Sequence, residues 1–178
     1  MKNTKNANKA VYLTLGLLLI AVSVLAALNR GDAGLKRALE ENREFLILTD
    51  GEPAVTVGLS DLLDLQPREF SAVMSSSMTS PREVIFKGVE LRLILAGLDI
   101  DAADAAYIVV TGLDGYVTPL TPEEVYKPEN VFMCFETDGE IMKTLGEGGF
   151  GPFMLVLPNE RFAQRWCKYA ETVDIRFK

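Results

Sequence analysis

The uncharged run from Ala10 to Leu28 constrains this chain more than any other feature. Its nineteen residues, at helical rise, span roughly 29 Å, close to the hydrocarbon thickness of a bilayer. Lys2, Lys5 and Lys9 precede the run and no lysine falls inside it, which by the positive-inside bias puts the amino terminus in the cytoplasm. The run therefore reads as a single-pass transmembrane anchor (10–28) in the cell membrane, with a basic cytoplasmic flank (1–9) and a folded part outside the cytoplasm. A cleavable secretory signal is the alternative, with Val24, Ala26 and Ala27 as small residues for a peptidase, but the run is longer than a signal core of roughly 7–15 residues. No cysteine follows it closely, which excludes a diacylglyceryl lipoprotein anchor.

Three of the 18 basic residues belong to the cytoplasmic flank, whereas all 25 acidic ones lie beyond the run, so the outer part carries a net charge near −10. Such a surface repels phosphate backbones and anionic lipid, excluding nucleic acid as a partner and leaving the tether as the hold on the membrane. The chain has no histidine, which removes the commonest general base and zinc ligand and any histidine-ligated haem. Its two cysteines, Cys134 and Cys167, are the only soft-metal ligands. Outside the cytoplasm they are candidates for a disulfide, which would close a loop of about 33 residues and contribute roughly 3–4 kcal/mol; two separately buried thiols are the alternative.

Beyond a polar juncture at Asn29–Ala33, the pattern of Gly34–Glu44 predicts a juxtamembrane stalk helix (29–44), followed by one domain of ordinary size (45–178). Strands are predicted at Phe45–Thr49 and Ala54–Val57 around an Asp50-Gly51 turn, then at Phe70–Met74, Glu83–Phe86, Tyr107–Thr111, Val131–Glu136, Phe153–Leu157 and Thr172–Phe177. Short helices are expected at Leu62–Leu65, capped by Ser60-Asp61, at Glu90–Ala96 with Gly97 as its C-cap, and from Thr121-Pro122-Glu123-Glu124, which has capping-box spacing. Tyr107–Thr111 is apolar throughout and suits the centre of a sheet. About eight short strands without a βαβ rhythm make the class α+β, with mixed β-sheets and short helices.

Most chemistry-bearing clusters have an ordinary structural explanation. Asp99, Asp101 and Asp104 resemble the opening of a calcium loop but lack its glycine and its distant glutamate. Glu123 and Glu124 pair as carboxylates, yet a helix start explains them through the dipole and the cap. The loop Gly146-Glu147-Gly148-Gly149-Phe150-Gly151 has backbone amides to cradle an anion, but it lacks a phosphate-loop lysine and carries an opposing glutamate. Trp166, beside Arg165 and near Lys168, suits the sealed edge of a core better than a stacking platform.

Four spaced pieces nevertheless carry a resemblance. They are Gly88-Val89-Glu90-Leu91-Arg92-Leu93-Ile94-Leu95, Asp114-Gly115-Tyr116, Gly151-Pro152-Phe153-Met154-Leu155-Val156-Leu157-Pro158, and Arg165-Trp166 before the final strand. In order and spacing, over about Asp50 to Lys178, they resemble the molybdopterin-binding domain of the sulfite oxidase family of oxidoreductases. The resemblance implies that fold, and a molybdenum held by a cysteine between the two strands before the glycine-valine helix. Here that region is Ser75–Ser80, without a thiol, and a hydroxyl is too hard and basic a ligand to replace a thiolate. The family's histidine ahead of the glycine-proline strand is absent, and Met154 stands at the position of its arginine.

What the resemblance implies here is therefore a retained scaffold without the metal cofactor or catalysis. The old cleft would be lined by Ser75, Ser76, Ser77, Asp114, Gly115, Tyr116, Gly148, Gly149 and Gly151, and used for binding. A molybdopterin-dependent oxidoreductase with a non-thiolate site is the alternative. A subunit docked in a larger membrane complex is a third reading; Gly16 has Tyr12 and Ile20 four residues to either side, so the helix holds no glycine-based dimer motif.

Overall fold

The computed structural model describes the backbone of residues 3–76, 79–160 and 162–177, with their side chains except at 3–11, 25–33 and 75–80. The chain divides into two compact units, Met1–Ala38 and Leu39–Lys178. The first is helical. Helix α1 runs unbroken from Asn3 to Asn42, so the expected juncture at Asn29–Ala33 does not interrupt the backbone. Gly31 costs a helix only about 1 kcal/mol, and no proline is present to break it. Side chains from Tyr12 to Val24 are almost all exposed. Among the described residues no helix is long and apolar enough to cross a membrane. The described side chains of the run are thirteen, against about 20 needed for a span, and the rest of Ala10–Leu28 lies outside them.

The second unit is built from two sheets. One has the order β2 (Glu52–Gly58), β1 (Glu44–Thr49), β10 (Ala170–Arg176), β5 (Tyr107–Gly112), β6 (Val117–Leu120). All its pairings are antiparallel except β1 with β10, which run parallel with Leu46 opposite Thr172 and Thr49 opposite Ile175. Tyr107–Thr111 is thus an interior strand, but β10 holds the centre. The second sheet has the order β3 (Arg68–Ser76), β4 (Thr79–Glu90), β7 (Phe132–Thr137), β8 (Glu140–Ile141), with β9 (Met154–Val156) also paired to β7. Mixed sheets with short helices are the expected α+β class.

Several boundaries move for identifiable reasons. Helix α2 spans Leu59–Asp64 and starts earlier than expected, because the Asp61 carboxylate accepts from the Gly58 amide at 2.7 Å and serves the third helical position rather than the cap. Strand β4 runs through Gly88 to Glu90, and helix α3 (Leu91–Gly97) follows, so Gly97 is its last residue and not its cap. At Gly88 the ladder to β7 slips by one residue, and a Cβ there would lie 2.5 Å from the Met133 carbonyl oxygen. Only glycine allows that approach. Helix α4 (Pro122–Tyr126) carries the predicted capping box: the Glu124 amide donates to the Thr121 hydroxyl at 3.2 Å and the Thr121 amide to the Glu124 carboxylate at 2.9 Å.

Alternation along the strands supplies one continuous core from both sheets and α3, including Phe45, Ile47, Phe86, Ile94, Ile108, Phe135, Phe153 and Ile175, all fully buried. The sheets meet through aromatic pairs. Phe45 of β1 packs edge-on against Phe153 with centroids 5.1 Å apart, and Phe86 of β4 against Trp166 at 5.5 Å. Trp166 is buried, its indole N–H donating to the Leu157 carbonyl at 3.1 Å, so it seals the core as the sequence suggests. Truncation of Phe153 to alanine should therefore lower stability by about 3–5 kcal/mol in urea unfolding, whereas Val73→Ala, on an exposed strand face, should shift it by less than about 0.5 kcal/mol.

Candidate functional site

Of the residues expected to line a cleft, the fold joins those of the Asp114 turn and those of the glycine loop. Asp114-Gly115-Tyr116 forms the turn between β5 and β6, where the Asp114 carboxylate accepts from the Tyr116 amide at 3.0 Å. Gly148, Gly149 and Gly151 lie in the connection from β8 to β9. Tyr169 bridges them: its amide donates to the Phe150 carbonyl at 2.7 Å and its carbonyl accepts from the Leu113 amide at 2.9 Å. Gly151 takes a positive φ of +96° directly against Tyr169, where a Cβ would fall 2.5 Å from the Tyr169 Cα. Burial, with the charges of Asp114 and Glu40, pushes the Tyr169 phenol above its ordinary value.

Ser75 and Ser76 end β3 in the other sheet, their side chains outside the described ones, and Ser77 lies outside the described residues. A 3-10 turn at Ala163–Arg165 packs against β3, and the Tyr116 hydroxyl donates to the Gln164 carbonyl in that turn.

The glycine loop does hold an anion, and the anion belongs to the chain. A carboxylate oxygen of Glu40 accepts from the Leu145 amide at 2.6 Å and the Gly146 amide at 3.3 Å. Glu147 turns inward to the Thr144 amide at 2.8 Å and hydroxyl at 3.1 Å. Sequence reasoning missed Glu40, though it carried a signal: an acid in the last turn of a helix opposes the dipole unless something else holds it.

A second group that the sequence did not single out surrounds Glu90, which is 3% exposed. Its carboxylate accepts from Arg92 at 2.7 and 3.1 Å and from the Glu129 amide at 2.9 Å, and Arg68 lies 3.8 Å away. Burial alone would raise its pKa, but these donors outweigh it and hold the carboxyl below its usual range. A groove of about 330 Å³ opens beside this network, lined by Arg68, Phe70, Ser71, Phe132, Pro158 and neighbouring residues.

Glu123 and Glu124 lie in the first turn of α4. Glu124 closes the cap of α4 and meets Arg165 at 2.7 and 3.1 Å, and Arg165 also reaches Glu160 at 2.8 Å. Asp101 accepts from the Ala103 amide and the Tyr126 hydroxyl, and among the described residues no group of three His, Cys, Asp or Glu side chains is arranged to hold a metal.

The expected Cys134–Cys167 bridge is not formed; both are free, buried thiols. Cys134 on β7 pairs with Met154, while Cys167 bridges Leu155 on the other edge of β9. A strand therefore stands between them, a separation of roughly 9–10 Å where a disulfide tolerates at most about 7 Å between Cα atoms. Cys134 Sγ lies against Gly88 and Cys167 Sγ against Gly112. Burial pushes the Cys134 thiol far above its ordinary value; burial and the nearby Asp114 carboxylate push Cys167 up to about 12.

No family model and no curated protein matches the chain. Among solved structures it is similar to the sulfane dehydrogenase SoxCD from Paracoccus pantotrophus, with a TM-score of 0.62 and 18% identity, over 78% of this chain and 39% of that one. The chain thus spans about two fifths of that protein's length. At this identity the likeness shows the fold, and the fold is the sulfite-oxidase-like one that the spaced motifs imply.

Two measurements check this geometry. Mass spectrometry after alkylation without reductant should find no label on the native protein and two labels after unfolding; no label after unfolding would mean a bridge. Glu124, held below the ordinary carboxyl range chiefly by its hydrogen bonds from Arg165, contributes stability above the unfolded carboxyl pKa and loses it as the pH falls through its folded value. Glu124→Gln should cost about 1 kcal/mol at pH 7, through the cap and a partly exposed ion pair, and this deficit should shrink as the pH falls below about 4 in parallel urea titrations.

Proposed function

We propose that this chain is a membrane-tethered, extracytoplasmic domain that keeps a molybdopterin-oxidoreductase-like scaffold without its metal and acts by binding, or as an accessory subunit of a membrane complex. The observation that carries the reading is the chemistry of the donor set. A molybdenum–pterin group needs a soft thiolate and cationic donors for its anionic parts. The chain's two thiols are enclosed in the core on separate strands and stay protonated at neutral pH, and it has no histidine. Met154, at the family's arginine position, is a buried core residue on β9.

Several other donors are engaged by the chain's own carboxylates. Arg92 serves Glu90, Arg165 serves Glu124 and Glu160, and the loop amides serve Glu40. Among the described residues no buried side-chain nitrogen or oxygen lacks a partner. The residues therefore do not fit the group, and no redox step is derived through it. The uncharged run with three lysines ahead of it supports the tether, and the acidic balance of the outer part supports a body standing clear of anionic lipid.

One preparation tests both halves. The full chain, expressed in a molybdate-replete host, should stay in the membrane pellet through an alkaline carbonate wash and need detergent for release. The purified protein should then contain neither molybdenum by mass spectrometry nor a fluorescent pterin after oxidation. One molybdenum per chain would overturn the reading and favour an oxidoreductase with an atypical, non-thiolate site.

A further inference from the structure

Glycine-rich chain loses the most conformational entropy on ordering, so an ordered glycine loop needs bonds to hold it. The connection from β8 to β9 is such a loop. From Leu145 to Gly148 it is exposed, Leu145 itself by 46%, so apolar burial does not fix its tip. Its own turn bonds, from the Gly148 amide to Leu145 at 3.0 Å and from the Gly149 amide to Thr144 at 2.9 Å, curl the tip without anchoring it. The anchors come from two distant segments. On one side Tyr169 and Lys168 hold Phe150, through the Tyr169 amide on its carbonyl and the Lys168 ammonium 4.4 Å from its ring centre. On the other side stands the foot of α1.

The foot, Leu39–Asn42, belongs to the same compact unit as the loop. Glu40 takes the Leu145 and Gly146 amides. Arg43 donates to the Met142 carbonyl at 2.8 Å and faces the Glu147 carboxylate at 4.0 Å. Arg43, at a φ of +55°, turns the chain out of the helix and into β1, so both side chains are set by one helical turn. The tip of the loop is gripped by that turn. The connection continues past it, because Gly151 lies against Tyr169, whose carbonyl receives the Leu113 amide beside Asp114. A contiguous path of hydrogen bonds and short backbone thus runs from α1 through the loop to the Asp114 turn.

We propose that Glu40 and Arg43 act as a strap. While the last turn of α1 is wound they hold the glycine loop against Tyr169, and unwinding of that turn frees the loop and loosens the Asp114 turn. Helix ends open at low free-energy cost, which suits a last turn to this release. The loop and the Asp114 turn border the candidate cleft, so the state of the helix sets how ordered the cleft is. A partner that docks on α1 and winds or unwinds its last turn is felt there by this route. The role of the strap rests on the binding reading above, whereas its existence does not: the assay below contains no ligand, so the two fail separately.

The test uses the full chain in detergent micelles and residue-resolved amide exchange by NMR. Glu40→Ala deletes the acceptor but keeps a strong helix former in the turn. Exchange at Leu145 and Gly146 should quicken at least about tenfold, the effect of losing a charge-assisted bond, and at Tyr169 and Leu113 at least about threefold. The β5–β10 ladder and the melting curve should not change. Glu41→Pro, which unwinds the turn while sparing Glu40 and Arg43, should reproduce the alanine pattern at the loop. Any of four results would overturn the proposal: unchanged exchange at Leu145 and Gly146 in Glu40→Ala, a change confined to those two amides, faster exchange throughout the domain with a lowered melting temperature, or no effect of Glu41→Pro on the loop.

Discussion

Five residues, Trp166 to Ala170, hold the two sheets in register. The Cys167 amide and carbonyl both bond Leu155 on β9, at 3.1 and 2.8 Å, and the Trp166 ring closes on Phe86 of β4. Tyr169 then takes the Phe150 carbonyl on one side and gives its own carbonyl to Leu113 on the other. Ala170 bonds Phe153 at 2.9 Å and begins β10, the central strand of the opposite sheet. A segment so short, bonded to both layers, leaves little freedom in how they face each other. It also fixes the Asp114 turn beside the glycine loop, because both rest on Tyr169.

Three groups of donors in this fold are occupied by carboxylates from the chain itself. Glu40 sits on the loop amides, Glu90 on Arg92 and the Glu129 amide, and Glu124 on Arg165. An acidic protein gains from this arrangement, since each buried or half-buried carboxylate is matched by donors instead of by other acids. The same arrangement makes these places poor receptors for an outside anion, which would have to displace a covalently tethered competitor.

Much of the fold was legible in the sequence because its signals were local. The apolar run closed by Asp50-Gly51 marked a strand, and Thr121 with Glu124 marked a helix start, since each depends on residues within a few positions. The resemblance in four pieces pointed to the fold before any contact was known. What could not be read depended on long-range pairing. Cys134 and Cys167 suited a bridge or two buried thiols equally well in the sequence, and only the register of β9 shows that a strand separates them. Glu40 and the loop amides are more than a hundred residues apart, and the network around Glu90 draws on three separate segments. Single-residue chemistry gave no hint that Tyr169 would gather the Asp114 turn and the glycine loop.

The parallel pairing of β1 with β10 has a consequence for how the domain is made. The first strand of the folded unit finds its inner neighbour only in the last one, with the Phe177 amide returning to the Asp50 carboxylate at 2.9 Å. That sheet cannot zip up progressively as polypeptide emerges; it waits, with β1 and β5 facing an empty slot, until the closing segment arrives. Assembly is thus a late and concerted event governed by distant contacts, the regime in which two-state domains fold slowly. During that wait β1 and β5 would each offer an open flank, so a chaperone or a bound partner would matter most before the final strand is in place.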